Sequence, residues 1–204
     1  MPGKRRNASK RTVETRIANN VFAASKEDIM GLLDRLFNKP IAPSVTKRAV
    51  PELSGSMTAH QAWAVVAPLV RGLDRNARLT LITSGLDMNH EGRSRTWEFI
   101  FLLPQRNLTV MFSLEPDPQS ADVDGSPCIL TQRINQASAT DATRPAFPDR
   151  FRDSPDAVAE FSAQGVDFVS GPSDMKLEGR MLPSNEAVWA TFGWDREHTT
   201  SFQP

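Results

Sequence analysis

The chain has 204 residues with 24 basic and 24 acidic side chains, no net formal charge, and 39% apolar residues, a balance ordinary for a globular body carrying some unstructured sequence. No apolar run reaches the ~18 residues that span a bilayer, and the single cysteine, Cys128, excludes an internal disulfide and, with no Cys/His cluster, a zinc site. The charge is unevenly placed: residues 1–16 hold Lys4, Arg5, Arg6, Lys10, Arg11 and Arg16 against Glu14 alone, and the remainder is mildly acidic.

Residues 1–24 carry too few apolar side chains to offset the entropy of ordering and read as a basic flexible arm. Six clustered cations suit a phosphate backbone, an acidic protein surface or an import receptor. Positive charge with no apolar segment behind it is not a secretory leader, which points to a cytoplasmic protein and leaves nuclear, virion and organelle destinations open. Within 25–38, Ser25 is a helix cap followed by acids in the first turn. Ile29, Leu32, Leu33, Leu36 and Phe37 then form one apolar stripe, and Pro40 stops the helix. A helix this short is not stable alone, so it must dock, on its own domain or in a partner's groove. Residues 39–57 hold Pro40, Pro43 and Pro51 without a clear period and read as a linker.

The body is expected over 58–195. Thr58 and Gln61 fit a capping box for a helix running to about Asp74, with Pro68 expected to bend it or end its regular part. A meander follows: residues 79–84, then 93–103, where Trp97, Phe99 and Phe101 alternate with Glu98, Ile100 and Leu102, then 108–114. The alternation predicts a central strand with one aromatic face, covered on both sides. Residues 115–127 form an acidic loop whose Asp122-Val123-Asp124-Gly125 lacks the spacing and terminal Glu of a calcium loop. Cys128 to Ile134 reads as a strand and 135–148 as a polar loop.

The second half repeats the first in outline. Ser154 reads as a helix cap, Pro155 as the first helical residue, and Gly165 as the stop. Strands are expected at 166–169, 175–182 and 187–194, and 196–204 as a polar tail in which Phe202 alone has reason to dock. Short turns between successive strands argue for an antiparallel sheet, and the helices for a second layer. The class is α+β: helices packed on a curled antiparallel sheet, with a pseudo-repeat of helix plus meander and an extended N-terminal arm. Element order over roughly 58–195 resembles the PepSY-like and cystatin-like families. Such folds often bind, inhibit or scaffold, and because the resemblance is one of order it implies no site residues.

Catalysis finds little footing. His60, His90 and His198 lie in no triad or metal spacing, and no glycine loop cradles a phosphate. The one candidate turn gathers His90, Glu91, Arg93 and Arg95. The reading is therefore a noncatalytic interaction or assembly module without cofactor or metal. Its N-terminal arm docks on a protein partner through the six basic residues and the stripe Ile29, Leu32, Leu33, Leu36 and Phe37. Two alternatives stand beside it: a nucleic-acid-associated coat or assembly protein using the same basic arm, and an enzyme with a site near His90.

Overall fold

A computed structural model describes residues 44–119, 126–148, 150–168, 176–192 and 197–203. The arm and the helix expected over 25–38 lie outside the described residues. Within them the chain forms an open, eight-stranded, wholly antiparallel sheet in the order β1-β5-β4-β3-β2-β6-β7-β8, with three helices. The strands are β1 Ser44–Ser54, β2 Arg78–Ser84, β3 Trp97–Leu103, β4 Leu108–Pro116, β5 Pro127–Gln136, β6 Lys176–Met181, β7 Ala187–Phe192 and β8 Glu197–Ser201; the helices are α1 Ala59–Leu73, α2 Ala139–Thr143 and α3 Ser154–Ala163.

The aromatic strand sits inside the sheet as its pattern predicts. Trp97, Phe99 and Phe101 are fully buried, paired with β2 on one side and β4 on the other. Their face receives α1, whose Trp63 ring lies 5.8 Å from both Phe99 and Phe101. The core continues through Ala157, Val158 and Phe161 of α3 to Trp189 of β7, so both long helices cover the same face. The other face carries no helix among the described residues, since the short α2 buries nothing. On the other face of β3 Leu102 is enclosed and Glu98 and Ile100 are half-buried, although no helix among the described residues lies over them.

Helix α1 begins at the capping box: Thr58 accepts from the Gln61 amide N–H, and the Gln61 side chain accepts from the Thr58 amide. Pro68 does not end it. Both Pro68 and Ala64 are exposed, so the Ala64 carbonyl that proline leaves unbonded reaches water, which weakens the usual interior penalty.

Four expectations are corrected. Residues 44–54, read as linker, form edge strand β1. The prolines permit this because Pro43 precedes the strand and Pro51 falls where the register with β5 breaks, between Val50 and Ser54; a missing N–H is tolerated at an edge or bulge. Residues 197–201, read as tail, form β8 against β7, anchored by Phe202, which is fully buried at 4.9 Å from Trp189. The loop at 135–148 is interrupted by α2, which Ser138 and Asp141 start as a second capping box. Val166 and Phe168 pack on the core without forming a strand.

Ser154 is also reassigned. Asp153 is the N-cap of α3, and Ser154 is its first residue. The Ser154 hydroxyl reaches across the sheet to the other helix, accepting from the Ala59 amide at 2.9 Å and donating to the Gly92 carbonyl at 2.6 Å. Asp153 Oδ1 likewise accepts from the His60 amide at 2.9 Å. The start of α3 therefore satisfies two of the orphan donors in the first turn of α1.

Each helix start is tied to a tryptophan by the same bond. Trp97 Nε1 donates to the Met57 carbonyl and Trp189 Nε1 to the Arg152 carbonyl, each at 2.9 Å and each just before the helix cap. The two indoles meet edge to face, 6.5 Å apart. Between them the core is continuous, with the two meanders joined through the pairing of β2 with β6.

Candidate interaction surface

The polar residues nearest a catalytic arrangement are spent on structure. In the turn before β3, Asn89 Oδ1 accepts from the Glu91 and Arg93 amides, at 3.0 and 2.9 Å, and Asp87 accepts from the Ser94 hydroxyl and the Arg95 amide. Arg93 donates to the Ser56 carbonyl and lies 3.7 Å from Glu91, which ties the turn to the entry of α1. His90 is exposed at its tip. The candidate residues are thus close in sequence, but the structure converges Arg93 and Glu91 on a backbone carbonyl and each other and leaves His90 outside. Among the described residues no group of three or more His, Cys, Asp or Glu is placed to share a metal ion.

His60 lies in the first turn of α1. Its side chain is half exposed, Nε2 lies 2.7 Å from the Phe151 carbonyl, and the ring stacks edge-on to Phe151 at 5.0 Å. It closes the seam where the two helix starts meet. His198 sits in β8 opposite Thr191. Cys128 is fully enclosed in β5, where burial pushes its thiol pKa up; it is a core side chain, as its strand setting predicts.

On α3, Glu160 is held below the ordinary carboxylate range, first by the Thr200 hydroxyl of β8 and then by the Arg152 guanidinium. A lowered folded value means that this contribution to stability is present above the ordinary glutamate pKa and is lost as the pH falls through the lower folded one. Stability to urea is therefore expected to fall on acidification through that window, and Glu160→Gln is expected to flatten that part of the profile. A Glu160→Gln profile parallel to wild type would show that the contacts contribute nothing measurable.

What the sequence reading missed is the helix-free face. Register places Val45, Arg133, Met111, Ile100 and Leu81 side by side across β1, β5, β4, β3 and β2. All five point away from the core that faces the helices. Val45 is 61% exposed, and Met111, Ile100 and Leu81 are half-buried between their neighbours. The next row is polar: Lys47, Thr131, Ser113, Glu98, Thr83 and Glu178, the last paired with Lys176 at 2.9 Å. The first row is thus apolar apart from exposed Arg133, and in the second Thr131, Ser113 and Thr83 are enclosed while Glu98 and Glu178 are half-buried. The alternation of Ile100 and Leu102 with the aromatic residues was visible in the sequence. That Met111, Leu81 and Val45 line up with Ile100 was not, because it depends on register across five strands.

The predicted arm residues Lys4, Arg5, Arg6, Lys10, Arg11 and Arg16 and the stripe Ile29, Leu32, Leu33, Leu36 and Phe37 lie outside the described residues. No helix among the described residues is long and apolar enough to cross a membrane. Compared with known proteins, the chain matches no family model, no curated protein and no solved structure.

Proposed function

We propose that the chain is a noncatalytic interaction or assembly module, in which the sheet is a rigid platform and residues 1–38 dock on a protein partner. The observation that carries this reading is the contrast between two sets of side chains. Arg93 and Glu91 of the candidate turn engage each other and the Ser56 carbonyl at the entry of α1, whereas Val45, Met111, Ile100 and Leu81 line up on a sheet face with no helix over it among the described residues. In sequence, the arm that precedes that platform adds six cations and an amphipathic stripe. The same reading takes the two helix-and-meander halves as a repeat, related by their equivalent tryptophan-to-carbonyl bonds. The element order shared with PepSY-like and cystatin-like domains supports a binding or scaffolding role in the same way.

The test uses full-length protein in three forms: wild type, a variant with Leu32→Asp and Leu36→Asp, and a variant with the six arm cations changed to glutamine. Each is used for affinity capture from native lysate with and without nuclease. A defined protein held by wild type, resistant to nuclease and lost from the Leu32/Leu36 variant is the expected result. Capture that vanishes with nuclease and with the glutamine variant, and weakens steeply with salt, would replace this reading with the nucleic-acid one. Equal capture by all three forms would move the interaction to the body and overturn the role of the arm.

A further inference from the structure

We propose that the outer edge of β1 is a strand-addition site, on which an extended acidic segment of a partner protein pairs with the sheet and directs one acidic and one apolar side chain toward α1. This goes beyond the docking role of the arm and does not depend on it. Strand β1 ends the sheet, and among the described residues it pairs on one side only, with β5. From Ser44 to Val50 that pairing is regular, and Val45, Thr46, Lys47, Arg48 and Ala49 are all exposed. A run of main chain open along its outer side is a template for another strand. The opposite end of the sheet offers only the five residues of β8.

Strand addition takes its affinity from the main chain and its specificity from pockets for alternate side chains. Beside β1 on the α1 side lies an open groove of about 510 Å³, walled by Leu53, Ala64, Val65, Pro68 and Leu69, with Arg48 and Glu52 at its rim. Arg48 and Val50 point to this side, because they pair with the core residues Leu130 and Cys128. A peptide residue opposite Arg48 therefore meets a cation, and its neighbour on the same face, opposite Val50, meets the apolar wall. Arg48 forms no ion pair among the described residues. Glu52 lies past the break in register. On the other face Lys47 borders a smaller groove with Glu115 and Asp117, so the preference for an acid is set by Arg48. Charge also selects the occupant. The fullest antiparallel pairing of 44–50 with a second copy centres on Lys47 and sets it against its own counterpart, and like charges directly opposite are destabilising. The chain's own arm has six cations against one acid over residues 1–16, the wrong charge for Arg48. An acidic segment of another protein meets neither repulsion.

The experiment selects short random peptides displayed on phage against the full-length chain with its six arm cations changed to glutamine, so that the arm cannot hold acidic peptides. The expected result is enrichment of an acidic residue separated by one position from an apolar one. Anisotropy titrations of a labelled selected peptide then compare this parent with Arg48→Glu and Ala64→Trp, both changes at exposed positions, with thermal melts to establish folding. Each is expected to weaken binding on the order of tenfold, and selection on Arg48→Glu is expected to enrich a basic residue instead. N-methylation of the peptide is expected to abolish binding at alternate residues only, those whose N–H faces β1. Loss that does not alternate overturns strand addition, and equal binding to the parent, Arg48→Glu and Ala64→Trp overturns the site. Failure to enrich any pattern overturns the proposal, and a parent that also sediments as a dimer with slowly exchanging β1 amides gives the edge to a second copy. None of these results bears on partner capture by the arm, so the two readings fail separately.

Discussion

Gly92→Ala is expected to be among the most destabilising single substitutions in the body, costing about 4 kcal/mol or more and lowering the melting temperature by roughly 10 °C. The position combines two constraints. Its φ of +70° lies in the left-handed region, where a β-carbon costs about 1–2 kcal/mol. An added Cβ would also lie 2.4 Å from the Pro155 nitrogen and 2.6 Å from the Ser154 carbonyl carbon. Those are backbone atoms of the first turn of α3, so no side chain can swing aside; the helix start itself must move. Moving it stretches the Ser154 hydroxyl from the Gly92 carbonyl and from the Ala59 amide, both of which are buried bonds. Leaving buried groups unpaired costs about 1–3 kcal/mol each. Gly72→Ala is the control. It lies in α1 with nothing within 4 Å of an added Cβ, and is expected to be neutral or stabilising by up to about 1 kcal/mol. Urea melts of both variants give the comparison, and a Gly92→Ala midpoint within error of wild type would mean that α3 is not held against the turn as described.

Local patterns made much of the architecture legible. The alternation through Trp97, Phe99 and Phe101 placed β3, and Thr58 with Gln61 placed the start of α1, because both signals act within a few residues. The antiparallel order of neighbouring strands followed from their short turns. The failures share a different cause. Strand β1 was hidden because its prolines argue against a strand in general, whereas at a sheet edge a missing donor is harmless, and edge position is fixed only by pairing with β5, more than seventy residues later. Ser154 looked like its own helix's cap because that is where serine usually acts. Its actual partners are Ala59 and Gly92. Strand β8 has little apolar content of its own and is held by Phe202 in a pocket of distant aromatic rings. The candidate surface was half legible: Ile100 and Leu102 announced a second apolar face, and the missing half was register.

Trp189→Ala is the second large effect, and it tests whether the two meanders share one core. The indole is fully buried, with ring centres at 4.9 Å from Phe202, 5.9 Å from Phe151 and 6.5 Å from Trp97. Truncating an enclosed tryptophan to alanine typically costs 3–5 kcal/mol, roughly, through lost transfer energy and the cavity left behind. Here it also removes the donor that satisfies the Arg152 carbonyl. Trp189→Phe keeps most of the packing and loses the bond, so its smaller cost, about 1–3 kcal/mol, separates the two contributions. Because Trp97 of the first meander and Phe202 of the second both touch this ring, the loss is expected to be felt across the whole body. Intrinsic tryptophan fluorescence and far-ultraviolet circular dichroism should then report one coincident transition at lower temperature in Trp189→Ala. Two separated transitions, with the second meander melting first, would mean that the continuity of rings through Phe151, Trp189 and Trp97 does not couple the halves. In that case the sheet would be a pair of independently stable units that merely abut at β2 and β6.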